Sequence, residues 1–243
     1  MGADPRWVTL ALALPGVDER WLEGFSRGFF ELAGRERVEL IGGDTTRGPL
    51  TISITAIGLS PPGLALRRDG ARPGDDIWLS GRTGEAALAV AVRRGALQLP
   101  AELLRVCRQR LDWPQPRNAL GLALRGIAAS AIDVSDGLLQ DLGHLCERSG
   151  IGARLELARL PVSPAVSAAG AAGLQAMLSG GDDYELCFTA SPAQRERLAG
   201  VAAGQGVALT RIGQMSAGPA VVTLLDAAGA AVTPAQRGFD HFR

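Results

Sequence analysis

No sign of charge dominates this sequence. It sets 25 Lys and Arg against 25 Asp and Glu in 243 residues, a formal net charge of zero. A nucleic-acid surface needs a basic excess, so no nucleic-acid partner is expected. Cysteine is scarce: Cys107, Cys146 and Cys187 are far apart, without metal-type spacing, and read as buried thiols in a reducing compartment. No His or Cys cluster suits zinc. No apolar run is long enough to span a bilayer and no stretch reads as a signal peptide, so a cytoplasmic protein without a membrane partner is the default expectation. A Walker A loop, a kinase-type GxGxxG, internal repeats and a low-complexity tail are also missing.

What is present is enough apolar material, 47% of residues, for one large or two modest domains. It also includes three stretches in which small residues and acids border an apolar segment. The first is Gly42-Gly43-Asp44-Thr45-Thr46-Arg47, between apolar runs at 38–41 and 50–59. Two glycines at a strand end admit a ligand close to the backbone, Asp44 offers hard oxygen, and Arg47 a fork for phosphate. The same residues also suit a plain hairpin turn. The second stretch is Asp133-Val134-Ser135-Asp136-Gly137 and the third is Gly180-Gly181-Asp182-Asp183-Tyr184-Glu185.

In chain order, residues 7–14 read as a strand. Asp18 is a plausible N-cap for a helix to about Gly34, with Trp21, Leu22, Phe25, Phe29 and Leu32 on one core-facing stripe. Residues 50–59 alternate Thr51, Ser53 and Thr55 with Ile52, Ile54 and Ala56, the period of a half-buried strand. Pro61-Pro62-Gly63 breaks the pattern, and the domain boundary is expected between here and about Gly74, giving domains of 1–62 and 63–243. Beyond it, helices are expected at 84–94, 101–111, 117–128, 138–149 and 192–199, with a weak helix or loop at 161–173. Strands are expected at 77–80, 131–134, 153–157, 184–189, 207–212 and 221–225. This alternation indicates an α/β layered domain.

Asp44, Asp133, Asp136, Asp182, Asp183 and Glu185 are many acids beside glycines. Carboxylates converging on one site repel and need cations, and oxygen-only ligands favour Mg²⁺ over zinc. Magnesium, glycine-rich backbone and arginine together describe phosphoryl transfer, where catalysis is mostly positioning and charge neutralisation. Gly180-Gly181-Asp182-Asp183-Tyr184 is a weak partial match to the GGDEF signature, which has no place for the other two acid stretches, and that reading is rejected.

Five stretches carry a stronger resemblance: LIGGDTTRGPL (40–50), LRRDGARPGDD (66–76), AIDVSDGL (131–138), SGGDDYELCF (179–188) and GFDHF (238–242). In this order they resemble the thiamine-monophosphate kinases, of the superfamily that includes aminoimidazole ribonucleotide synthetase and selenophosphate synthetase. The resemblance implies transfer of the ATP γ-phosphoryl group to thiamine monophosphate, with several Mg²⁺ ions and a homodimer. It implies ATP contacts at Gly43, Asp44, Arg68 and Ser135, Mg²⁺ ligands at Asp44, Asp133 and Asp136, and substrate contacts at Glu185 and Phe239. An ionised phosphate acceptor needs no deprotonation, in keeping with the lack of an obvious His or Lys base. A cationic thiazolium over the Phe239 ring is a reasonable physical use of that side chain, and docking of a tail aromatic on the core is its structural alternative.

The family normally carries a longer N-terminal region with further acids. The implied fold is therefore α/β (α+β) in two domains: a truncated N-terminal half-domain that completes a barrel across a dimer, and a C-terminal mixed sheet flanked by helices. An open edge and an uncovered face are expected in the first. Three functional readings follow: an active kinase from a truncated record, an inactive fragment that still binds nucleotide, or a relative acting on another acceptor. Glu185 and Phe239 argue against the last.

Overall fold

A computed structural model describes residues 2–236 and 238. The chain divides into two compact units, Gly2–Ala65 and the residues from Leu66 onward. In the first unit, strand β1 (Asp4–Leu14) is followed by helix α1 (Glu19–Glu36), then β2 (Glu39–Arg47) and β3 (Thr51–Leu59). The sheet order is β2-β1-β3, with β2 parallel and β3 antiparallel to β1. Asp18 caps α1 by accepting from the Trp21 N–H at 3.1 Å, and Arg37 ends it in the left-handed region at φ 58°.

The glycine-aspartate stretch differs from its expected form. It is neither a loop at a strand end nor a hairpin turn, because β2 runs unbroken through Gly42, Gly43 and Asp44 and pairs with β1. A Cβ on Gly43 would lie 1.8 Å from the Leu10 carbonyl oxygen, so its small size serves strand pairing. The aromatic stripe of α1 also differs. Trp21, Phe25 and Phe29 stack with centroids 5.3 and 6.1 Å apart, yet no residue of the helix is fully buried. Every residue of β3 is exposed, so the alternating strand is not half-buried within this unit, and Ile52, Ile54 and Ile57 face solvent.

The second unit is a seven-stranded mixed sheet of order β10-β9-β6-β8-β4-β7-β5. Its strands are β4 (Asp76–Ser80), β5 (Ser130–Val134), β6 (Gly152–Glu156), β7 (Glu185–Ala190), β8 (Leu209–Ser216), β9 (Val222–Leu225) and β10 (Ala231–Val232). Its helices are α2 (Glu85–Arg93), α3 (Ala101–Asp112), α4 (Asn118–Ala123), α5 (Leu138–Ser149), α6 (Pro164–Ala168), α7 (Gly170–Ser179) and α8 (Arg195–Gln205). Strand alternation builds two cores. Ile77, Leu79, Ile132, Val134 and Cys187 pack with α2, α3, α5, α6 and α7, while Ala131, Leu186 and Phe188 pack on the opposite face with Leu120, Leu124 and Leu198.

The helix expected over 117–128 is only six residues long, because tight turns replace it after Ala123 and Gly126 takes φ 67°. The weak segment at 161–173 resolves into α6, capped by the Ser163 hydroxyl, and the start of α7 at Gly170, φ 56°.

Gly43→Ala should destabilise the first unit by about 1–3 kcal/mol or more, since the added methyl meets backbone rather than a movable side chain. Gly42→Ala, with nothing within 4 Å of the added carbon, should cost less. Thermal unfolding of the two variants checks the ranking.

Candidate active site

The second and third acid stretches come together because β5 and β7 are antiparallel neighbours. Asp133 lies opposite Leu186 and Val134 opposite Glu185. The end of β5 therefore meets the start of β7, and the loops beyond them run side by side. The Asp182 N–H donates to the Ser135 carbonyl at 2.9 Å and the Tyr184 N–H to the Val134 carbonyl at 2.8 Å. Glycine makes the fit possible: a Cβ on Gly181 would sit 2.4 Å from the Ser135 carbonyl oxygen, and one on Gly137 2.8 Å from the Ser179 backbone. Asp182 and Tyr184 take φ 67° and 51°, strain on the order of 1–3 kcal/mol for a non-glycine residue. A cavity of about 410 Å³ opens here, walled by Ala87, Val90 and Arg94 on one side and by Ser135, Asp136 and Asp182 on the other.

Asp133, Ser135 and Asp136 are half-buried at the head of α5. Asp141, on the first turn of α5, is almost fully buried, and one oxygen accepts the N–H groups of both Ser135 (3.0 Å) and Asp136 (3.1 Å). Burial pushes its carboxyl above the usual range, and the charges of Asp136 and Asp133 push the same way against those two hydrogen bonds. Sequence reasoning passed over Asp141 because it looks like an ordinary polar position on an amphipathic helix. Its one available signal was that it falls among Leu138, Leu142 and Leu145 on the apolar face.

Arg68 lies in the segment that borders β5. The Arg67 carbonyl accepts from the Ala131 N–H at 2.8 Å and the Arg68 carbonyl from the Ser149 hydroxyl at 3.1 Å. Arg67 is paired with Asp69, whereas the exposed Arg68 guanidinium forms no ion pair with a described residue. Gly43 and Asp44 belong to the first unit, where Asp44 is exposed and accepts from the Thr45 N–H at 2.8 Å. Phe239 lies outside the described residues. The described tail is held by the Ser179 hydroxyl, which donates to the Gln236 carbonyl at 2.6 Å.

Glu185 is expected at the substrate, but the structure places it in a buried ionic cluster. It is fully buried and accepts from Ser80 Oγ (2.5 Å), Arg110 (2.6 Å) and two nitrogens of Arg117 (2.7 and 2.5 Å). A direct contact with a ligand would need one of these bonds to open. Glu85, 3.8 Å from Arg110, brings the cluster to two acids and two arginines. Arg110 and Arg117 are not marked in the sequence, because partners 68–75 residues away leave no local signal. Asp183, also buried, accepts from the Gly84 N–H at 2.8 Å and so caps α2, while its other oxygen has no hydrogen-bond partner among the described residues. Burial, with a smaller push from Glu185, raises its carboxyl to about 8.

Among the described residues, no three of His, Cys, Asp and Glu converge closely enough to form a metal cage. Magnesium does not need one. It keeps several waters and takes one or two carboxylates plus phosphate oxygens, a donor set that Asp133 and Asp136 fit. The three cysteines are buried thiols, with burial raising Cys107 and Cys146 to about 11. His144 pairs with Glu147 on α5.

Residues 1–60 match the family of AIR synthase related proteins, N-terminal domain, and residues 72–226 match its C-terminal domain. The chain is 48% identical over 246 residues to the thiamine-monophosphate kinase of Salmonella typhimurium, a match covering all of this chain and 75% of that one. The chain belongs to the thiamine-monophosphate kinase family. A crystal structure of the thiamine-monophosphate kinase from Stenotrophomonas maltophilia superimposes with a TM-score of 0.89 at 47% identity, covering 96% of this chain and 74% of that one. A structure of AaThiL complexed with AMPPCP and TMP superimposes with a TM-score of 0.84 at 26% identity, covering 99% and 75% of the two chains.

The raised Asp183 carboxyl sets a pH dependence within this kinase fold. The folded state holds its proton more tightly than the unfolded state does, so its contribution is present at low pH and is lost as pH rises from the ordinary carboxylate range through about 8. Asp183→Asn keeps an acceptor for Gly84 without the charge. It should raise the melting temperature at pH 8, on the order of 2–4 °C for each kcal/mol relieved, with the gap closing toward pH 4 in a thermal-unfolding series.

Proposed function

We propose that this chain transfers the γ-phosphoryl group of ATP to thiamine monophosphate, giving thiamine diphosphate and ADP. The observation that carries the reading is the match to thiamine-monophosphate kinase at 48% identity over all of this chain and 75% of the relative, with the two acid loops interlocked beside a cavity. Further support is the likeness to a structure holding an ATP analogue together with TMP.

In this reading Gly43, Asp44, Arg68 and Ser135 contact ATP. Arg68 is suited to phosphate because its guanidinium is exposed and forms no ion pair with a described residue, and the backbone bonds beside it fix where it starts. Asp44, Asp133 and Asp136 hold Mg²⁺, which when bound supplies charge neutralisation between two anionic phosphates. The acceptor oxygen is already ionised, so no side chain removes a proton from it, and His144, engaged with Glu147, has no such task. The chain's own contribution is positioning: a loop pair held by backbone hydrogen bonds and an exposed arginine beside β5. Glu185 serves the substrate side through Arg110 and Arg117, which it holds in place. Phe239, outside the described residues, is the further substrate contact of this reading.

A homodimer belongs to the same reading, supported by the unburied apolar side chains of β3. So does a cytoplasmic location, with which the three buried free thiols agree. No helix among the described residues is long and apolar enough to cross a membrane.

The test is thiamine diphosphate formation by the purified chain with ATP, thiamine monophosphate and Mg²⁺. Turnover should be Mg²⁺-dependent, and Asp133→Ala should lower it by about 10²-fold or more, the scale of removing a charge-stabilising group. A folded chain without turnover, or an Asp133→Ala variant of normal activity, would defeat the proposal.

A further inference from the structure

Asp141 is a carboxylate placed where a carboxylate is expensive. It sits on the buried stripe of α5 beside Leu138, Leu142 and Leu145, and near two further acids, Asp133 and Asp136. An apolar residue there would pack without electrostatic penalty. What the site gains from it is specific: one oxygen takes the N–H groups of Ser135 and Asp136 together. Two successive N–H groups turned to the same side, at the head of a helix, form the kind of concavity that ordinarily receives a phosphate or another anion.

We propose that Asp141 is a positioning residue that converts the Ser135–Asp136 segment from an anion receptor into a cation receptor. With both inward N–H groups occupied by the chain's own carboxylate, the segment is left to present side-chain oxygens to the ligand. The nucleotide is then recognised there as its metal complex and not as a bare polyphosphate. Asp141 touches neither nucleotide nor metal; it acts through the backbone of the two residues that do. The inference rests on the metal–nucleotide reading of the site given above.

The experiment compares the 243-residue chain with Asp141→Asn and Asp141→Ala. Mn²⁺ is the probe, titrated in the presence of AMPPCP and read from the electron paramagnetic resonance signal of free Mn²⁺. Asn keeps an oxygen acceptor for both N–H groups and removes the charge. Asp141→Ala should bind Mn²⁺ about 10–100-fold more weakly, the usual loss when a group supporting a metal ligand is removed. Asp141→Asn should stay near the wild type. AMPPCP affinity without metal, measured by calorimetry, should not fall in Asp141→Ala, because its two N–H groups are freed for phosphate. A merely structural defect lowers metal-free and metal-dependent binding together, and that result overturns the proposal. So does wild-type Mn²⁺ affinity in Asp141→Ala, or an equal loss in both variants. If Asp141→Ala does not fold, Asp141→Asn still decides: a tenfold loss in it refutes the role. Failure of the wild-type chain to bind Mn²⁺ with AMPPCP overturns the site reading itself, and this inference with it.

Discussion

The C-terminal unit depends on bringing two acid-bearing loops into backbone contact. Carboxylates at the ends of adjacent strands repel, and side-chain attraction cannot hold their loops together. Main-chain bonds do so instead: Ser135 and Val134 offer carbonyls, and Asp182 and Tyr184 offer N–H groups. Those bonds require an approach that any Cβ on Gly181 or Gly137 would block. The glycines of the two motifs are therefore needed first for loop against loop, and the left-handed backbone at Asp182 and Tyr184 is the strain that this crossing imposes.

Around this crossing the buried acids are each held in a different way. Glu185 is matched by two arginines, Asp183 caps the first turn of α2, and Asp141 faces two N–H groups; at the far end of β7, Asp76 is matched by Arg195 and Arg211. Removing one partner of such a pair strands a charge in low dielectric, at about 3–5 kcal/mol. The arrangement leaves Asp133, Asp136 and Asp182 as the acids that are not fully buried in these two loops. They are the ones open to a cation in the proposed function.

Much of this was legible in the sequence. The apolar stripe of α5, the N-cap at Asp18 and the strands bearing Ile77 and Ile132 follow from local pattern, which survives folding unchanged. The three acid stretches were visible as motifs. Their environments were not, because burial and ion pairing are set by residues distant in the chain. Glu185 and Asp182 sit three positions apart and read alike, yet one is sealed behind Arg110 and Arg117 and the other borders a cavity. Gly42-Gly43 read as room for a ligand, and Gly43 also makes room for β1, a neighbour whose register no local pattern discloses.

In the proposed function, the loop at the head of α5 is a cation-binding edge of a nucleotide site. The most direct measurement is a crystal of the chain grown with AMPPCP and Mn²⁺, examined for anomalous scattering from the metal. The account requires a peak at bonding distance, roughly 2.0–2.2 Å, from a carboxylate oxygen of Asp133 or Asp136, shared with a phosphate oxygen of the analogue. A nucleotide bound with its metal remote from both carboxylates would contradict it.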